Sequence, residues 1–358
     1  MDSGLEGVVA AETVLSHSDG GRGMLWVRGH TLGELVADFG YDGAVALLWE
    51  GFAGDGLSRD GVRKTLGAAR VAAFARLGGW LDVAALRPLV EGVRQALAFL
   101  PEDSTPAAIA GTLPVAVAAL IREGRGDAPL APDPDLDTAA DLLRMVHGHR
   151  AAEPMAAALD AYFTAVIENG LNASAFAARI VASTGASLAA AALGAYCAFG
   201  GPLHGGAPGP TLDMLDEIEK SGDIDGWIER KLRRGERLMG FGHRVFRNGD
   251  PRAEALRGPL EQLGPSAARL DFAAQVERRV AAVLARLRPG RPPLRPNLEI
   301  NAALLLDAVG IPRNAFMPVF AVGRAPGWLA HAMEQRRSGR LIRPVAAYIG
   351  PEPMTRSA

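Results

Sequence analysis

The sequence predicts an all-α fold, and three observations carry that prediction. Apolar residues recur at helical spacing along most of the chain, proline and glycine gather in a few short stretches, and Val/Ile/Thr alternation is scarce. A single hairpin is the most β structure expected. The length of 358 residues suggests two domains, at roughly 150 residues each. With 49% hydrophobic and 22% charged residues the chain can bury a sizeable core, which excludes disorder.

Taken in order, "TLGELVADFGYDGAVALLWEG" (31–51) predicts two short helices broken near Gly40. "TPAAIAGTLPVAVAALI" (105–121) and "IVASTGASLAAAALGAYCAFGG" (180–201) are nearly free of charge. They are rich in Ala, Gly and Ser, and Pro114 interrupts the first, so buried helices are expected rather than membrane spans. "DLDTAADLLRMV" (135–146) opens a helix with acids, and "EPMAAALDAYFTAVIENG" (153–170) continues the helical period. "NASAFAARIVASTGASLAAAALGAYCAFG" (172–200) reads as one more helical stretch, capped by Asn172 and small enough in its side chains for another helix to approach closely. Loops are predicted at 122–137, 200–210 and 288–297.

The net charge of -2 gives no basic field for nucleic acid or anionic lipid. One cysteine, Cys197, can form neither an internal disulfide nor a zinc site alone, which fits a reducing compartment, with the cytoplasm as the default. The start, "MDSGLEGVVAAET", carries acids where a signal peptide needs basic residues.

Four segments hold residues suited to chemistry. In "GGPLHGGAPGP" (200–210), His204 stands in a glycine-rich turn, where it would also serve simply to cap a carbonyl. "RLMGFGHRVFRNGDPRAEALRG" (237–258) places His243 in a second Gly-flanked loop and Arg252 at a helix start behind Asp250 and Pro251. Arg252 could grip a carboxylate with two parallel bonds, or pair with Glu254 or Glu261 on its own helix. "RPNLEINAALLLDAVGIP" (295–312) offers Asn297 as a cap and Glu299 in the first turn. The helix dipole favours a carboxylate there with or without chemistry, and a dry cleft would raise its pKa towards that of a general base. In "PVFAVGRAPGWLAHAMEQRRSGRLIRPVAAYIG" (318–350), Arg324 reads as the start of a helix and Arg343 as part of an extended piece. Neither has an acid four residues away, while "EQRRSGR" reads as solvated surface.

The order of these segments resembles citrate synthases. The likeness runs from "VRGHTLGELVADFGYDGAVALLWEG" through "NGLNASAFAARIVAST", "GPLHGGAP", "LMGFGHRVFRNGDPRA" and "PNLEINAALLLDAVGIP" to "GRAPGWLAHAMEQRRSGRLIRPVAAYIGP". It implies a cytoplasmic homodimer of two-domain helical chains serving the tricarboxylic acid cycle. A large domain (1–204 and 305–358) would frame an inserted small domain (205–304), with a cleft between them that closes and excludes water. Such enzymes condense acetyl-CoA with oxaloacetate and hydrolyse the citryl thioester, without metal or permanently bound cofactor.

By position, the resemblance makes Glu299 the base that deprotonates the thioester methyl group and His204 the neutral donor to the enolate oxygen. His243 would polarise the ketone. Arg252, Arg324 and an Arg343 reaching across the dimer would hold the two carboxylates. The backbone of Leu238, Met239, Gly240, Phe241 and Gly242 would border the adenine of CoA.

Three departures qualify the pattern. "PNLE" supplies glutamate where aspartate is commoner, moving the carboxylate by roughly 1.5 Å. "ENGLNAS" puts Asn169 where a histidine usually helps bind oxaloacetate, which predicts weaker binding or another keto acid. Pro208 in "HGGAP" is a smaller change confined to the turn. The alternatives are a 2-methylcitrate synthase using propionyl-CoA, a catalytically weak paralogue that binds CoA or a keto acid, and a metal hydrolase built from His204, His243 and Glu299.

Overall fold

The computed structural model describes residues 5, 7–205, 208–243, 245–246, 249–264, 269–290 and 294–351. It begins with a three-stranded antiparallel sheet, β1 (Ser16–Asp19), β2 (Met24–Val27) and β3 (His30–Thr31), in the order β1-β2-β3. The register pairs Ser16 with Val27 and Trp26 with Thr31. This is one strand more than the single hairpin expected. Arg28 (φ 51°) and Gly29 (φ 88°) both take positive φ, the two-residue reversal that returns the chain for β3. Arginine rarely adopts that conformation, so the turn leaves no signature in the sequence.

Thr31 and Glu34 form a capping box that starts α1 (Leu32–Glu34). A π-helical turn (Leu35–Phe39) leads to Gly40 at φ 62°, the expected break, and to α2 (Gly40–Trp49). There follow α3 (Arg59–Phe74), α4 (Leu81–Ala84), α5 (Leu89–Ala98) and α6 (Pro106–Glu123). Helix α6 is long and apolar enough to cross a membrane, yet most of it is buried in the protein core. Its Gly111 lies so close to α3 that an added Cβ would stand 2.8 Å from that of Ala69.

Next come α7 (Thr138–His147), capped by Asp137, α8 (Glu153–Val166), α9 (Ala173–Ser183) and α10 (Leu188–Phe199). Asn172 caps α9 as expected. The 172–200 stretch is not continuous, however: Gly185 at φ 84° breaks it, and Ser187 caps a new helix. The small residues serve this break, because α10 folds back on α9 until a Cβ on Gly194 would stand 3.0 Å from Val181 Cγ2.

The rest comprises α11 (Pro208–Ser221), α12 (Ile224–Arg233), α13 (Pro251–Glu261), α14 (Leu270–Leu287), α15 (Leu298–Ala308) and α16 (Phe316–Ser338). Helix α16 is the axis of the fold, buried nearly throughout and packed on α2, α6, α8, α9 and α10. Pro326 inside it cannot donate to the Val322 carbonyl four residues back. The buried Tyr41 hydroxyl donates to that carbonyl instead, at 2.7 Å. Helix α8 carries α13 and α15 on one side and α16 on another. Three segments singled out in the sequence are thereby gathered around one helix.

Candidate active site

His204 follows the C-terminus of α10. The turn is tight because the Gly205 amide donates to the Phe199 carbonyl at 2.9 Å, where a Cβ on Gly205 would lie 2.6 Å from the same oxygen. Gly205 thus serves this close approach of backbone. The turn residues 206–207 lie outside the described residues, as does the side chain of Pro208.

The His204 ring stands edge-on to Phe199, with centroids 5.2 Å apart. Its Nε2 accepts the backbone N–H of Ser174 at 3.3 Å and lies 2.8 Å from Ser174 Oγ, a hydroxyl that accepts from Trp328 Nε1 at 3.0 Å and can turn its proton to Nε2 or to Asn172 Oδ1 (2.8 Å). A neutral imidazole has one acceptor nitrogen and one donor. Since Nε2 accepts an amide, the proton belongs on Nδ1. Burial, with the charges of Arg324 and Arg252 nearby, pushes the ring pKa down to about 4, so His204 is a neutral donor at physiological pH.

His243 repeats this arrangement with the nitrogens exchanged. Its Nδ1 accepts the N–H groups of Val245 (3.1 Å) and Phe246 (3.0 Å), which leaves the proton on Nε2. Burial and the charge of Arg252 bring its pKa to about 4 as well. Nε2 lies 3.1 Å from Arg252 Nη2. Two donors held side by side call for an oxygen acceptor between them.

Arg252 is buried at the start of α13, but its partner is neither Glu254 nor Glu261. The cap residue Asp250 accepts its Nε at 2.9 Å and its Nη2 at 2.7 Å. Burial alone would raise the Asp250 pKa, but Arg252 and the Leu298 amide more than reverse this, and the carboxylate stays ionised. That amide, 3.0 Å from Asp250 Oδ2, opens α15 next to Glu299.

Asn297 caps α15 as expected, accepting the Glu299 N–H at 2.9 Å. Its own N–H donates to the Gly240 carbonyl (2.9 Å), its side chain donates to that of Gly242 (2.9 Å), and Phe241 bridges to Pro296. The loop of Leu238, Met239, Gly240, Phe241 and Gly242 and the start of the Glu299 helix are therefore one stapled unit. Gly240, at φ 77°, has no room for a side chain: a Cβ would stand 2.5 Å from Ile300 Cγ1. Burial raises the Glu299 pKa above that of an ordinary carboxylate, opposed by the Gly240 amide and Arg252.

Arg324 does not begin a helix. It lies inside α16, where Gly323 and Gly327 are contact points against the end of α8; a Cβ on Gly327 would lie 2.3 Å from the Ile167 carbonyl. Arg324 Nε donates to the Val166 carbonyl, left over at the C-terminus of α8. The guanidinium stacks 5.1 Å over Phe320, and its Nη2 is buried with no partner among the described residues. Burial and the neighbouring Arg252 lower its pKa to about 10.

The charge of Arg252 acts on His204, His243, Glu299 and Arg324 alike, which makes the five one electrostatic cluster. Asn169 is half-buried, its carbonyl accepting Asn172 Nδ2 at 3.4 Å. Arg343 is exposed in the extended segment beyond α16 and takes no part in the cluster of its own chain.

Several residues of the site carried no sequence signal. Ser174 orients His204, and Asp250, legible in the sequence only as a cap, also orients Arg252. Next to Asn169, the buried Glu168 accepts from His331 Nε2 (3.0 Å), whose Nδ1 accepts from Arg179 Nε at 2.9 Å. Arg179 in turn donates to Glu334 and Gln335. Glu334 and Gln335 belong to "EQRRSGR", so the first two residues of that stretch are buried and its solvated reading holds only for 336–340.

The cluster thus combines neutral histidine rings, guanidinium groups and a buried carboxylate. A family model for the citrate synthase C-terminal domain matches residues 4–345. Relatives include "Putative citrate synthase 2" of Mycobacterium tuberculosis, 38% identical over 98% of this chain and 93% of that protein. The citrate synthase of Haloferax volcanii is 35% identical, over 98% and 96%. The 2-methylcitrate synthase of M. tuberculosis is 32% identical, over 98% and 91%. Among solved structures, citrate synthase from Thermotoga maritima superposes with a TM-score of 0.85 at 28% identity, covering 100% of this chain and 99% of the other. The chain belongs to the citrate synthase family.

Proposed function

We propose that the chain condenses acetyl-CoA with oxaloacetate to give citrate and CoA, with Glu299 as the base. The carboxylate takes a proton from the thioester methyl group while His204 Nδ1–H donates to the enolate oxygen as charge develops there. The enolate carbon attacks the ketone carbon of oxaloacetate, whose oxygen accepts from His243 Nε2–H and takes that proton as the bond forms. Water then cleaves the thioester, releasing CoA. Arg252 and Arg324 bind the carboxylates of the keto acid, and the 238–242 backbone borders the adenine.

The observation that carries this reading is the pair of histidine rings whose acceptor nitrogens are both occupied by backbone amides. The same observation speaks against the metal hydrolase, which would need those lone pairs for a metal.

The division into a large domain (1–204 and 305–358) and a small one (205–304), closing over the cleft, belongs to the same proposal. So does a homodimer in which Arg343 serves the partner's site. Leu341, Val345, Tyr348 and Ile349 flank Arg343 and are 58%, 97%, 76% and 96% exposed, an apolar run that a second copy would cover. The proposed setting is the cytoplasm, in the tricarboxylic acid cycle.

The test is thiol release from acetyl-CoA with oxaloacetate, compared with propionyl-CoA and with other keto acids, in the native chain and in Asn169→His. Turnover fastest with acetyl-CoA, with a lower oxaloacetate KM in Asn169→His, is expected. Preference for propionyl-CoA turns the assignment to a 2-methylcitrate synthase. No turnover in either chain, with CoA still bound, overturns the enzyme.

A further inference from the structure

We propose that Gly20 is a positioning residue for His243, and that the β1–β2 hairpin is the strap that fixes the His243 loop. Nothing in the chemistry described so far uses this hairpin. The inference rests on the reading of His243 as the group that polarises the ketone.

The hairpin turn lies against both ends of the loop. A Cβ on Gly20 would stand 2.2 Å from the carbonyl oxygen of Val245 and 2.9 Å from its carbon, and one on Gly23 would stand 3.1 Å from the Gly249 carbonyl oxygen. Gly23 has a φ of 65°, so its turn alone asks for glycine; Gly20 is outside that region, and only the approach of backbone to backbone requires it. The other end of β1 is also anchored. Ser16 Oγ donates to Glu168 Oε1 at 3.0 Å, and Ser18 Oγ is 3.6 Å from where a Cβ on Gly170 would be. The strand thus spans from the turn bearing Glu168 and Asn169 to the loop bearing His243.

The peptide unit that Gly20 touches has a direct effect on the ring. The Val245 carbonyl and the Phe246 N–H belong to one rigid plane, and that N–H donates to His243 Nδ1 at 3.0 Å. A methyl group on Gly20 pushes the carbonyl, tilts the plane and withdraws a donor that keeps the ring proton on Nε2. The ketone contact loosens although no residue touching substrate has changed.

The experiment compares Gly20→Ala with Gly21→Ala, whose added methyl meets Asp19 Oδ1 at an ordinary 3.4 Å. Both are assayed for kcat, for the KM of each substrate, for thermal unfolding, and for the infrared carbonyl stretch of bound oxaloacetate. A displaced polarising group predicts a rise in oxaloacetate KM on the order of tenfold in Gly20→Ala. The carbonyl stretch moves back towards its free value, while acetyl-CoA KM matches that of Gly21→Ala. A native oxaloacetate KM and stretch in Gly20→Ala overturn the proposal.

Ser16→Ala, which frees the far end of the strand, is the second variant. A smaller rise in the same KM supports the strap, and an unchanged value contradicts it. His243→Ala separates the two levels. Native behaviour there overturns the reading of His243 and the strap together, whereas a large loss there beside a native Gly20→Ala overturns the strap alone.

Discussion

Arg70 and Arg324 are both buried arginines, 0% and 2% exposed, and they are finished differently. Arg70, on α3, donates Nε to Asp141 (2.7 Å), Nη1 to Thr138 (3.2 Å) and Nη2 to the Leu136 carbonyl (2.7 Å). All three nitrogens are served by the chain itself. Arg324 spends Nε on the end of α8 and leaves Nη2 without a partner among the described residues, beside a second guanidinium that makes its charge harder to hold. A scaffold arginine is complete when the chain has folded; on the proposed reading, Arg324 is completed by the keto acid that binds.

The comparison can be broken by removing each in turn. Arg70→Met leaves the buried Asp141 with Arg144 and the Asp133 amide but without the partner of its second oxygen, and is expected to cost about 2 kcal/mol of stability, with activity following the folded fraction. Arg324→Met is expected to leave the melting temperature close to native and to lower kcat/KM for oxaloacetate by roughly 10²-fold. Denaturant unfolding and steady-state rates on the two variants decide it. If Arg324→Met unfolds as Arg70→Met does, the distinction is gone.

A smaller effect sharpens the same contrast through pH. Asp160, in the scaffold, is pushed up to about 7 by burial, so between pH 4 and 7 the folded state holds a proton that the unfolded chain has released. Its contribution to stability therefore falls as pH rises through that window. His204 and His243, at about 4, do the opposite: the unfolded chain binds more protons from pH 6.5 down to 4, and their contribution falls as pH drops. Relative to native protein, His204→Asn should gain stability towards about pH 5 and Asp160→Asn towards about pH 7.5, as read from unfolding free energies at the two pH values.

What the sequence made legible was local. Asn172, Asp250 and Asn297 announce helix starts because a cap needs only its own side chain and the next few amides, and all three cap as expected. His204, His243 and Glu299 were legible because loops and caps leave their imprint within a few residues. Arg324 was misread for the converse reason. Glycine and proline around it look like a turn, but Gly327 is glycine because the end of α8 presses on it, and Pro326 is tolerated because Tyr41, some 280 positions away, serves the orphaned carbonyl. Ser174 and the Glu168–His331–Arg179 chain escaped notice because their roles depend on long-range neighbours.

The mechanism depends most on the protonation of two rings. Selective ¹⁵N labelling of histidine, with long-range nitrogen–proton spectra assigned by His204→Asn and His243→Asn, reads the position of each ring proton directly. At about pH 6 the account predicts both rings neutral, with the proton on Nδ1 in His204 and on Nε2 in His243. A doubly protonated ring at that pH, or the reverse assignment of the two tautomers, would contradict it.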